Sequence, residues 1–103
     1  MFKLTPNPTF IAAVALSLPG EAKPANVKIT FKHLVRPQIK AFFEGLEGKT
    51  DGEALAEIVT GWEGFDAEFS PEALAELCSN YPKAGGEIFT AFKRELVDAP
   101  TKN

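Results

Sequence analysis

The 103-residue chain holds one cysteine, one histidine, one tryptophan, one tyrosine and one methionine. A single cysteine, Cys78, excludes an intrachain disulfide and any zinc site built from several thiolates. It fits a reducing cytosol, and its place on an apolar helical stripe assigns it a packing role. The lone His33 has no second histidine or thiol to share a metal or a proton relay. Motifs that cradle phosphate are missing too, because Gly85-Gly86 matches neither G-x-x-x-x-G-K-[ST] nor G-x-G-x-x-G. Ser17, Ser70 and Ser79 stand outside any nucleophile motif. The carboxylates fall at helix starts and on polar faces, with no pair marked out for acid–base work. The sequence thus gives no reason to expect an enzyme, a cofactor or a metal.

Long apolar runs are also lacking. None approaches the ~20 residues that a membrane helix requires. FIAAVALSLPG (10–20) is apolar enough for the centre of a signal peptide. Only Lys3 and the prolines Pro6 and Pro8 precede it, however, and no small-x-small triplet follows directly. A strand is the better reading. Phe10, Ala12, Val14, Leu16 and Leu18 recur at period two, and after the turn-rich PGEAKPAN (19–26) the alternation returns. Val27, Ile29 and Phe31 point one way, and Lys28, Thr30 and Lys32 the other. The two segments predict a β-hairpin with a long loop. A lone hairpin is marginal in water, so it needs helices on its apolar face or a third strand, which MFKLT (1–5) or a neighbouring subunit could supply. The lysines of the second strand read as protection of an exposed edge.

Beyond residue 35 the period turns helical. Pro37 suits a first turn, and Ile39, Phe42, Phe43 and Leu46 form a stripe that Gly48 can end. Thr50 and Glu53 form a capping-box pattern ahead of Leu55, Ile58, Val59 and Trp62. Ser70-Pro71 opens a third helix as cap and first residue, with Phe69 and Leu74 placed for a hydrophobic staple. Leu74, Leu77, Cys78 and Tyr81 follow on one face. After Pro82, Ile88, Phe89, Phe92 and Leu96 mark a fourth helix. The prediction is an α+β fold in one domain spanning 1–103: strands within 10–34, helices near 37–47, 51–62, 71–80 and 82–97, and a flexible tail at 98–103.

Charge is unevenly distributed. Residues 21–43 carry five bases and one acid; residues 44–81 carry ten acids and one base; the net charge of the chain is −3. An acidic chain with a short basic stretch is a poor nucleic-acid binder. Bipolar charge suits head-to-tail self-association, in which the basic strand region of one copy meets the acidic helices of the next. In the central GWEGFDAEFSPEAL (61–74), Trp62 and Phe69 have places in a stripe and a staple. Phe65 has none and is the better candidate for an exposed contact. Candidate partner-binding residues are therefore Phe65, Lys28, Lys32 and Arg36.

The chain also resembles the tail assembly chaperones of long-tailed bacteriophages and prophages over nearly its whole length. The resemblance rests on FKLTPNPTF (2–10), ITFKH (29–33), the central segment, NYPKAGGEIFTAF (80–92) and the short polar end. Its core is a W-x-x-[apolar]-D-x-x-F-S pattern followed by a helix and a Y-P pair, here Trp62, Phe65, Asp66, Phe69, Ser70, Tyr81 and Pro82. The resemblance implies a non-enzymatic factor that binds the long, largely helical tape-measure protein, keeps it soluble and helps recruit tail tube subunits. It implies action in the cytoplasm of the bacterial host and absence from the finished virion. It also implies a longer, frameshifted form in many of these phages, although the APTKN end departs from the expected basic character. The alternative is a minor structural tail protein retained in the particle.

Overall fold

Alternation along the first two strands sets one face of the sheet against the helices. In the computed structural model, which describes residues 1–98, β1 (Thr9–Leu16) and β2 (Ala25–Lys32) pair antiparallel from Thr9 opposite Lys32 to Leu16 opposite Ala25. Ala12, Val14, Leu16, Val27, Ile29 and Phe31 are buried on the inner face. The chain continues through α1 (Arg36–Glu44), α2 (Asp51–Ala56), β3 (Val59–Glu63), α3 (Pro71–Asn80) and α4 (Ala84–Leu96). The sheet order is β1-β2-β3. Three strands and four helices give the expected α+β fold.

The third strand is not the expected one. Residues 1–5 form no strand, and all of Met1–Pro8 is exposed. The pairing comes instead from residues 59–63, which the sequence places at the end of a helix over 51–62. Helix α2 stops at Ala56, and β3 pairs with β2 through Val59 opposite Phe31 and Gly61 opposite Thr30. The cause of the misreading is a bulge. One extra residue, Thr60, lies between these pairs, so Val59 and Trp62 both face inward at a spacing of three. A bulged strand thereby reproduces the i, i+3 spacing of a helix. Valine, threonine and tryptophan favour strands, and Gly61 disfavours a helix.

β2 is consequently the central strand, so Lys28 and Lys32 protect no edge. The true edges are β3 and β1, and β1 carries no charge at all. Helix α4 covers part of the β1 edge. The Ser17 N–H donates to Glu87 Oε1 at 3.0 Å, the Ser17 hydroxyl donates to the same carboxylate, and the Arg94 guanidinium donates to the Ala13 carbonyl at 3.2 Å. Pro8 O accepts from the His33 N–H on the other side. By the alternation of an antiparallel ladder, even-numbered residues of β1 face β2, and Ile11, Ala13 and Ala15 turn their peptide groups to the free edge.

The core is built on phenylalanine. Phe92 of α4 lies 5.4 Å from Phe31, 5.9 Å from Phe42 and 6.2 Å from Phe10, centroid to centroid. Phe31 and Phe92 are fully buried. Phe42 and Phe43 of α1 meet Phe89 at 6.0 and 5.7 Å, which ties α1 to α4. Such pairs add ~0.5–1.5 kcal/mol each beyond the area they bury. Cys78 is half-buried against this core, where burial and the nearby Asp51 carboxylate push its thiol above the ordinary value.

The expected caps are formed. Glu53 N–H donates to Thr50 Oγ1 at 3.2 Å, and Thr50 N–H donates to Glu53 Oε1 at 2.9 Å. The Thr50 N–H, and then the Thr50 hydroxyl, which donates to the same carboxylate oxygen at 3.1 Å, hold the Glu53 carboxyl below its usual value. Their contribution is complete above the ordinary carboxylate range and is lost as pH falls through the lowered value. Ala73 N–H donates to Ser70 Oγ at 3.0 Å, and Pro71 is the first residue of α3, as expected. Besides α2, two helices are shorter than predicted: α1 ends at Glu44, before Gly48, and α4 begins at Ala84, two residues after Pro82. Residues 99–103, most of the predicted tail, lie outside the described residues.

Gly85 and Gly86 are the sharpest test of this packing. A Cβ on Gly85 would sit 2.7 Å from Asp51 Cβ and 2.8 Å from its Cγ, whereas one on Gly86 would meet nothing within 4 Å. Gly85→Ala is expected to destabilise the fold by ~1–3 kcal/mol. Gly86→Ala should be neutral or stabilising, by up to ~1 kcal/mol. Urea titration of both variants checks this, and equal effects would contradict the close approach of α4 to α2.

Candidate functional site

Two surfaces stand out, on opposite faces of the sheet. The first is the segment that joins β3 to α3. Gly64 takes φ +97°, which an L side chain rarely adopts, and a Cβ there would lie 3.3 Å from Val27 Cγ1. The turn it permits folds Phe65 back onto Trp62. The two rings stack at 3.9 Å and 19°, and Phe69 closes edge-on against Trp62 at 5.3 Å. The indole N–H donates to the Ala67 carbonyl at 2.9 Å. Trp62 is thus held on three sides by its own following loop. All three aromatics are half-buried and pack against the core. Trp62 is on a strand rather than on the expected helical stripe, and Phe65 is half-buried rather than exposed.

Beside this clip lies a cleft of about 510 Å³ at the hairpin end of the sheet. Leu16, Leu18 and Val27 form one wall, Trp62 and Phe65 a second, and Leu77 of α3 with Tyr81 just after it a third. The cleft is mainly apolar, with the carboxylates of Asp66 and Glu76 among its lining groups. No basic residue occurs between Lys49 and Lys83. The lining of the cleft itself includes carboxylates and no basic side chain.

The second surface is the outer face of the sheet, which the helices leave uncovered. Ile11, Ala13 and Ala15 of β1 lie there beside Lys28, Thr30 and Lys32 of β2, with Ile11 opposite Thr30 and Ala13 opposite Lys28. Ile11 is 61% exposed. Lys28 faces Glu63 across the β2–β3 ladder. This is an apolar strip flanked by ammonium groups, next to a strand edge with open peptide groups. Arg36 is exposed at the first turn of α1, beyond the Lys32 end of β2. The structure thus gathers Lys28 and Lys32 on one face and places Phe65 elsewhere, in the cleft wall. Sequence reasoning missed Ile11 because its neighbours Ala13 and Ala15 are small, which blurs the alternation.

His33 is half-buried and packs edge-on against Phe10 at 6.3 Å, a structural place for the only imidazole. Among the described residues, no three histidine, cysteine or acidic side chains group so as to hold a metal, and no helix is long and apolar enough to cross a membrane.

A family model described as phage tail assembly chaperone matches residues 1–103. No curated protein and no solved structure matches the chain.

The stacked pair gives a measurable coupling. Trp62→Ala and Phe65→Ala are each expected to lower stability. A double-mutant cycle should return an interaction of ~0.5–1.5 kcal/mol, the value for a close aromatic pair. Strict additivity would mean that the loop does not hold the indole in solution.

Proposed function

Because the chain belongs to the phage tail assembly chaperone family, we propose that it is a non-enzymatic factor that binds the tape-measure protein, keeps it soluble and helps recruit tail tube subunits. The single observation that carries this reading is the family match over the whole chain. The protein acts in the host cytoplasm before the tube closes around its partner, and it leaves before the particle is complete.

The outer face of the sheet is the contact that best suits such a partner. A long helical protein held out of its final setting exposes apolar stripes with flanking charges. Ile11, Ala13 and Ala15 offer a shallow apolar strip, and Lys28 and Lys32 offer donors for carboxylates along it. Arg36 extends the basic character beyond the sheet. Repetition of a weak contact along a long partner raises the total affinity through multivalency. Phe65 serves this function indirectly, by shaping the cleft.

Co-expression with the tape-measure protein tests the reading. The pair should elute as a soluble complex, whereas the tape-measure protein alone should precipitate. Lys28→Gln with Lys32→Gln, which puts no like charge opposite Glu63, should weaken the complex by about tenfold or more and leave the melting temperature nearly unchanged. A tape-measure protein that stays insoluble with no complex formed would contradict the function. A full-strength complex with the double variant would contradict the assigned face alone.

A further inference from the structure

The two edges of the sheet are guarded unequally. β3 is short, carries the bulge at Thr60 and Gly61, and ends in the charge of Glu63, all of which discourage a further strand. β1 has none of these defences. It pairs with β2 without a break from Thr9 to Leu16 and holds no charge, proline or glycine. Ile11, Ala13 and Ala15 are exposed. The N–H and C=O groups of Ile11 and Ala15 and the N–H of Ala13 point outward and meet no hydrogen-bond partner among the described residues.

Helix α4 forms a groove along this bare edge. Glu87 meets Ser17 and Arg94 meets Ala13, so the helix passes β1 in the opposite direction. Lys83, Gly86, Glu87, Thr90 and Arg94 recur at spacings of three and four and share one helix face. With Ala15 they line a shallow groove of about 460 Å³. Gly86 and Thr90 are exposed, and a Cβ on Gly86 would meet nothing within 4 Å. Glycine inside a helix is destabilising relative to alanine, and here the missing side chain keeps the groove open.

We propose that an extended segment of a partner protein pairs with the β1 edge as a fourth strand and places its inward side chains in the groove along α4. Open peptide groups at every second residue call for an extended backbone, because a helix has spent its own amides internally. The groove then selects side chains. Its cations, Lys83 and Arg94, lie ~16 Å apart along the helix. Glu87 stands between them and is already engaged by Ser17. Four residues of strand span ~14 Å. The segment therefore carries two acidic side chains four residues apart, with a small neutral one between them. The acid beside Arg94 draws the guanidinium from the Ala13 carbonyl, which frees that oxygen for the new ladder. The alternate side chains lie beside Ile11, Ala13 and Ala15 on the outer face and are β-branched and apolar. The pattern, acid-x-small-x-acid with apolar x, reads the same in either strand direction. This contact goes beyond the proposed function, since it is made by backbone pairing and is tested without the tape-measure protein.

The probe is the end-capped peptide Val-Glu-Val-Thr-Val-Glu-Val, titrated into the isotope-labelled chain. The amide signals of Ile11, Ala13 and Ala15 should shift, and their exchange should slow. N-methylation of the valines removes the donors of an antiparallel pairing, and N-methylation of the other residues removes those of a parallel one. One set should abolish binding and the other should leave it. Lys83→Gln should weaken binding about twofold to fivefold, and a peptide with glutamines for glutamates should lose that sensitivity. Gly86→Leu should fill the groove, keep the melting temperature and abolish binding. No binding at millimolar peptide, binding with the three amides unchanged, or binding that survives both methylations would overturn the proposal. Protection of the same amides without peptide, with mass rising with concentration, would overturn it too, because the edge would then serve a second copy. If Gly86→Leu does not fold, the methylated peptides still decide.

Discussion

The contact between α4 and the inner face of the sheet is the constraint on which the other features depend. Phe92 is fully buried among Phe10, Phe31 and Phe42, and Ile88 and Ala91 extend the same seam. Three short strands cannot hold together in water without a covered face. Covering the inner face fixes the register, because a slip of one residue would turn Val27, Ile29 and Phe31 outward. The same helix reaches past the sheet to tie down β1, where Glu87 takes both donors of Ser17 and Arg94 takes the Ala13 carbonyl. One helix therefore closes the core and partly closes an uncharged edge.

Once the inner face is committed to the core, the surfaces left for partners are determined. The outer face keeps Ile11 and two lysines on β2, and the edge of β1 keeps peptide groups that β2 does not pair, of which the Ala13 carbonyl accepts from Arg94. Phe65, which could have been an exposed contact, is held against Trp62 by the turn at Gly64. The aromatics of residues 61–70 therefore serve mainly to shape a cleft.

Much of the fold was legible because local chemistry and tertiary packing agree. The caps at Thr50 and Ser70, the start of α3 at Pro71 and the alternation of β2 each follow from a side chain that satisfies its own neighbourhood. The third strand was not legible, since the bulge at Thr60 gives Val59 and Trp62 helical spacing and only pairing with β2 distinguishes the two. Edge protection by Lys28 and Lys32 fails for the same reason, because a strand is an edge or a centre only once its neighbours are known. The cleft was invisible as well. It is formed by Leu16, Trp62 and Leu77 from three separate elements, and no periodicity relates them. Gly85 left no signal either, since its need for close approach comes from Asp51, far away in the chain.

The inner face belongs to the fold, and the proposed function assigns the outer face, with the β1 edge, to the partner. Amide hydrogen exchange of the chain, alone and mixed with the proposed tape-measure partner, tests this division. The open amides of Ile11, Ala13 and Ala15 should exchange quickly in the free protein and become protected in the complex. Protection confined to α2 and α3, with those three amides unchanged, would contradict the account.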